Sequence, residues 1–248
     1  MKNDNRNDRR TSGPAKGTEK TKATGKANAA GKTKVTAGKE NRVPVGQGWE
    51  KTTVKNKSGI CPVADKCGGC SWINQPYAEQ LKKKEKQLGE LLAPFCKIEG
   101  VIPMEHPEHY RNKVHAVFGE NRYHDAISGI YEQKSHRIVP VDSCLIENAN
   151  ADEIIVSIRG LLKSFHIRPY NEDTGYGLLR HVLIRTGHVT GQIMVVLVLA
   201  SPILPSKNNF VKALLKLHPE ITTVVINVNN RNTSMVLGDK EHVIYGKG

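Results

Sequence analysis

The chain has no apolar run approaching a membrane span: the longest, Ile193 to Ala200, falls far short of the ~20 residues that a transmembrane helix requires. It also lacks a secretory signal, because Met1-Lys2-Asn3-Asp4 leads into further charges with no apolar segment behind them. Cysteines are few and odd in number, 5 in 248 residues, which argues against a disulfide scaffold of the extracellular kind. These absences read as a cytoplasmic protein with no membrane partner. No aromatic residue precedes Trp49. No glycine-rich loop follows a strand in the pattern that cradles a nucleotide cofactor, and no internal repeat is visible.

What is present divides by charge. Residues 1–57 hold 15 Lys and Arg against 5 Asp and Glu, whereas residues 58–248 hold 22 against 19, so most of the formal +13 lies in the first segment. That segment is rich in Lys, Thr, Gly, Asn and Ala and shows no hydrophobic periodicity. It has too little apolar surface to offset its ordering entropy and is expected to be a disordered, Lys-rich tail. A tail of this kind binds polyanions through counterion release from phosphates; the alternative is a solubilising extension.

The cysteines are grouped. Cys61, Cys67 and Cys70 form a C-x5-C-x2-C run with Gly68-Gly69 inside it, and Cys144 stands far downstream. A soft thiolate set suits zinc or an iron–sulfur cluster, and the glycines let the backbone turn tightly enough to bring Cys67 and Cys70 to one centre. Zinc ribbons and fingers ordinarily carry two paired knuckles. Three clustered cysteines completed by one remote cysteine lean instead toward cluster ligation, with zinc, reduced thiols or a redox pair as alternatives. Cys96, among Ala93-Pro94-Phe95, reads as a buried thiol without a role.

The remaining residues alternate between helical and strand periodicity. A helix is predicted over Tyr77 to Phe95 with Leu81, Leu88, Leu91 and Leu92 as its apolar stripe, and a second over Ala151 to Phe165 facing a core. Ser206 is read as the cap of a third, running to Leu217. Short strands are predicted over Tyr110 to Phe118, Ile127 to Tyr131 and Arg137 to Val141, forming an antiparallel meander that leads to Cys144. Hairpins are expected from His181 to Arg185 with Gln192 to Leu199, and from Ile221 to Val228 with Thr233 to Leu237. The predicted class is α+β, with antiparallel strands and helices rather than a repeated βαβ sheet. The chain divides into a tail at 1–57, a cluster-binding segment with antiparallel strands at 58–146, and an α+β central domain at 147–248.

Several of these pieces also carry a resemblance. The cysteine run with Trp72, Tyr110-Arg111-Asn112-Lys113, Gly177-Leu178-Leu179-Arg180-His181, His218-Pro219-Glu220-Ile221-Thr222 and Asn232-Thr233 ahead of Val236-Leu237-Gly238 together resemble the iron–sulfur-containing RNA uracil-5-methyltransferases, in particular the 23S ribosomal RNA branch. The resemblance implies an iron–sulfur cluster, of the 4Fe-4S type, on Cys61, Cys67, Cys70 and Cys144, and a domain that holds ribosomal RNA while the target base leaves its stack. Arg111, Lys113, Arg180 and His181 are then the candidates for RNA contacts, since Arg and Lys meet phosphates and His stacks on bases. A local salt bridge is the competing role for Arg111 and Arg180. In the family, a Rossmann-like domain binds S-adenosylmethionine and supplies a cysteine nucleophile. No Asp-Pro-Pro-Arg segment or cofactor loop is found here, so that domain is expected to be absent, S-adenosylmethionine to enter only through it, and no catalytic residue is assigned. The expected function is a fragment or split half of a 23S rRNA uracil-5-methyltransferase, with a separate methyltransferase half as a possible partner. The alternative is a stand-alone iron–sulfur or zinc RNA-binding module without catalysis.

Overall fold

The structure, a computed structural model, describes residues 61–232 and 235–247. All of them belong to one compact unit, Lys51–Gly248. The tail expected over 1–57 lies outside the described residues.

Valine, isoleucine and leucine dominate three segments, which become the centre of a sheet: β4 (Leu179–Thr186), β5 (Ile193–Leu199) and β6 (Ile221–Val228). Strands buried on both faces need no alternation, and theirs is largely lost. Around them lie β1 (Lys113–Glu120), β2 (Ala126–Tyr131), β3 (Ile138–Pro140) and β7 (Lys240–Tyr245). The seven run in the order β3-β2-β1-β4-β5-β6-β7. Every pairing is antiparallel except β5 with β6, which is parallel in the register Val195↔Val224 and Leu197↔Ile226.

Among the described residues three helices accompany the sheet: α1 (Tyr77–Leu92), α2 (Ala149–Leu162) and α3 (Lys207–Leu217). The Asn148 side chain caps α2 by accepting from the Ala151 amide at 3.4 Å, satisfying one free N–H of the first turn. From there Ile154, Ile155, Ile158 and Leu162 recur at helical spacing and are buried. They share the main core with Phe210 and Leu214 of α3 and with Val114, Phe118, Val182, Ile184, Val195 and Leu197 of the sheet. A smaller cluster, Leu183, Val196, Val198 and Val225, forms separately. Ile158 is completely enclosed, so Ile158→Ala is expected to cost about 2–5 kcal/mol, read as a lower urea midpoint with an unchanged slope.

The expected fold class is corrected. The sheet is mixed, and α3 carries the chain from β5 across to a parallel β6, which an antiparallel reading does not contain. The reason is physical: a parallel neighbour needs a crossover of a dozen or more residues, and Ala200 to Glu220 supplies it. The strand expected over Thr233 to Leu237 falls partly outside the described residues, and the antiparallel neighbour of β6 among the described residues lies beyond it. That neighbour is β7, with Asn227 opposite Glu241. Ser206 is not a side-chain cap either: it sits at φ +48° and makes no capping bond. The predicted stripe of α1 lies on a helix with no buried residue, Leu91 being 71% exposed.

Candidate metal centre and nucleic-acid interface

Residues 61–70 fold into a series of tight turns. The Cys67 amide donates to the Val63 carbonyl at 2.8 Å, and the Gly69 amide donates to Cys67 Sγ at 3.3 Å. The loop is stitched to the β2–β3 turn: the Gly68 amide donates to Tyr131 O and the Gln133 amide to Lys66 O, both at 3.3 Å. The approach is close enough that any side chain would push on its neighbours. A Cβ on Gly68 would stand 3.0 Å from the Tyr131 carbonyl, and one on Gly69 would stand 3.3 Å from Cys67 Sγ.

The remote cysteine arrives from the other side. Its amide donates to Asp152 Oδ2 of α2 at 2.7 Å. Cys61, Cys67, Cys70 and Cys144 all line one pocket, whose remaining wall is mostly apolar and includes Ile73, Ile130 and Ile146, with Arg111 as its cation. Two stretches separated by more than 70 residues in sequence are thereby brought together. Burial pushes the Cys67 and Cys70 thiols up, with Arg111 pulling both back, and pushes Cys144 up to about 11. Reactive and redox cysteines show the opposite shift. Among the described residues, no three His, Cys, Asp or Glu side chains are grouped closely enough to share a single metal ion. Cys96, expected to be buried, is exposed.

Arg111 precedes β1 and is held by its backbone, its amide donating to Ile146 O at 2.8 Å and its carbonyl accepting from the Asn148 amide at 3.1 Å. Its charge acts on Cys67, Cys70 and Glu147. Behind the pocket, Glu147 and Asp152 face each other at 5% and 6% exposure. Burial and this mutual repulsion raise Glu147 to about 7, so the pair retains a proton near neutrality. Neither carboxylate was singled out in the sequence; the signal was an acidic residue on each side of the Asn148 cap, just after a candidate ligand.

Arg180 and His181 lie on β4. Arg180 is 3% exposed and acts as a clamp: one terminal nitrogen donates to Asn229 O at 3.0 Å and Arg231 O at 2.7 Å, the other to Glu172 Oε1 at 3.2 Å. Its guanidinium lies 4.8 Å from the centre of the Tyr170 ring. His181 is 5% exposed and packs on His115, with ring centroids 4.9 Å apart. Burial first, then His115 and Arg180, pulls His181 down to about 3, which leaves it neutral. Lys113 is exposed and sits directly opposite the equally exposed Arg185 on β4. Like charges at facing positions repel. His115 and Arg185 were missed in the sequence, although alternation along β1 places Lys113, His115 and Val117 on one face.

No family model matches the chain. Several curated proteins do. One from Halalkalibacterium halodurans, described as an uncharacterized RNA methyltransferase, is 38% identical over 192 residues, which is 75% of this chain and 42% of that protein. One of the same description from Clostridium acetobutylicum is 37% identical over 195 residues, covering 76% of this chain and 42% of the relative. The chain is thus related in sequence to proteins named RNA methyltransferases and spans less than half of their length. Among solved structures, Pyrococcus abyssi tRNA (uracil-54, C5)-methyltransferase, in complex with S-adenosyl-L-homocysteine, matches with a TM-score of 0.58 and 22% identity over 73% of this chain and 42% of that one. This likeness concerns the fold. It overturns the expectation that a methyltransferase fold is missing from the chain, because the mixed sheet and its helices themselves match a solved methyltransferase.

Proposed function

We propose that this chain is the RNA-holding part of an RNA methyltransferase that modifies carbon 5 of uracil in ribosomal RNA, with S-adenosylmethionine as methyl donor and an iron–sulfur cluster on its four pocket cysteines. The observation that carries this is the convergence of Cys61, Cys67, Cys70 and Cys144 on one pocket. The donor chemistry suits the group, with soft thiols, an apolar wall and Arg111 as compensating charge, while no three of the thiols are grouped to share a single metal ion. When bound, the cluster would cross-link the 61–70 loop to the start of α2, a structural contribution. Relatives named RNA methyltransferases support the reaction class, and the solved tRNA (uracil-54, C5)-methyltransferase supports uracil as the base.

The chain's own residues would bind and orient RNA. Lys113 faces solvent and can meet a phosphate, while Arg111 stands beside the cysteine pocket and Arg180 with His181 lies deeper in β4. The direct test is deletion of the gene in its source cells, followed by mass spectrometry of ribosomal RNA for 5-methyluridine. Loss of one methylated site is expected, restored by the intact gene. Unchanged methylation at every site would contradict the reading.

The tail contributes to affinity in this reading. Deleting residues 1–57 should flatten the salt dependence of RNA binding, by about 0.7–0.9 in the log–log slope for every phosphate that the tail neutralises. An unchanged slope would make the tail a bystander.

A further inference from the structure

A second cavity, of about 530 Å³, lies beside the cysteine loop. Its floor includes His115 and Val117 of β1 and Tyr131 of β2. Its wall is the β2–β3 turn from Glu132 to His136, and Gly68 closes one side. This volume falls in the range of small-ligand sites.

Two imidazole nitrogens at this cavity have no hydrogen-bond partner: Nε2 of the lining residue His115, and Nδ1 of His181, whose ring packs on His115. Buried nitrogens are ordinarily satisfied, and leaving one unmade costs about 1–3 kcal/mol. Their clustering therefore points to a ligand. His115 lines the cavity and His181 packs against it from β4. Both imidazoles are held neutral by burial. A neutral imidazole offers one donor and one acceptor but no charge, so the deep end suits a flat group with polar edges better than an anion.

One cation, Lys134, lines the cavity, and two more stand outside its lining. Lys113 is two positions from His115 on the same face of β1, about 6.6 Å along the strand, and Arg185 faces it. Neither forms an ion pair among the described residues. Lys134 belongs to the turn that walls the cavity. The nearby carboxylates are engaged, Glu132 with Arg137 at 3.3 Å and Glu172 with both His136 and Arg180.

We infer that this cavity takes one unpaired nucleotide of RNA, with its base against His115 and Tyr131 and its phosphate at Lys113 and Arg185. The inference rests on the RNA-binding reading above and adds a defined seat for a single base. The bonds from Gly68 to Tyr131 and from Gln133 to Lys66 also make the cysteine loop a support for the cavity wall.

The test uses the full 248-residue chain. Imidazole nitrogen NMR of the unaltered protein is followed while uridine 5′-monophosphate or inorganic phosphate is added, and binding of a single-stranded RNA oligonucleotide is measured in parallel. The nucleotide should shift the His115 and His181 resonances, and phosphate alone should leave them in place. His115→Ala should weaken oligonucleotide binding about tenfold, as for loss of one stacked base, and Lys113→Ala should lower the salt slope by about 1. Oligonucleotide binding that is unaffected by His115→Ala, with no nucleotide-induced imidazole shift, would overturn the inference and leave RNA binding standing. Failure of the unaltered chain to bind RNA at all would overturn both. Equal shifts with inorganic phosphate would mark an anion site and also overturn the seat for a base.

Discussion

With the proposed cluster on the four cysteines, replacing Cys144 by serine is expected to strip most of the iron and to lower stability more than replacing any cysteine of the 61–70 loop. Cys144 is the one pocket thiol that comes from outside residues 61–70. A centre joining it to Cys70 closes a loop of more than 70 residues, and a cross-link of that span is worth about 4 kcal/mol in the chain-entropy view. Without a bound centre the change should be mild, since serine keeps the size of the side chain and the Cys144 amide still donates to Asp152. The comparison is therefore made between anaerobically purified and chelator-stripped samples of both proteins. A stability gap present only before stripping is the expected result. A gap that persists unchanged after stripping would make the cysteine a packing residue.

Arg180→Ala is expected to destabilise the fold by about 1–3 kcal/mol for each carbonyl left without its donor. The guanidinium ties β4 to two other segments, 170–172 through Tyr170 and Glu172 and 229–231 through two carbonyls. Its removal leaves both carbonyls without their donor and Glu172 with only His136. Arg180→Lys should recover only part of the stability, because a single ammonium cannot reproduce a planar fork. Urea denaturation reads this directly. Unchanged stability together with weakened RNA binding would instead make Arg180 a direct RNA contact.

The helices and most strands were legible in the sequence because periodicity reports burial. α2 announced itself through Ile154, Ile155, Ile158 and Leu162, and the β1–β3 meander through short alternating runs. The parallel pairing of β5 and β6 was not legible in the same way. A run such as Ile193–Leu199 is equally apolar in either direction, and only the intervening helix distinguishes a crossover from a hairpin. α1 was found but its environment was not, since an apolar stripe records what a helix could bury and not what stands beside it. The cysteines stood out by residue type and spacing, and the structure places all four on the lining of one pocket without grouping three of them for a single metal ion. The Glu147–Asp152 pair, the stacked His115 and His181, and the facing Lys113 and Arg185 depend on register between distant segments. Single residues gave no sign of them.

The most direct test of the cysteine centre is elemental and sulfide analysis of the chain after strictly anaerobic purification. Iron and acid-labile sulfide in near-equal amounts, several of each per chain, are predicted, and both should fall together in Cys144→Ser. One zinc per chain with no sulfide would contradict the cluster.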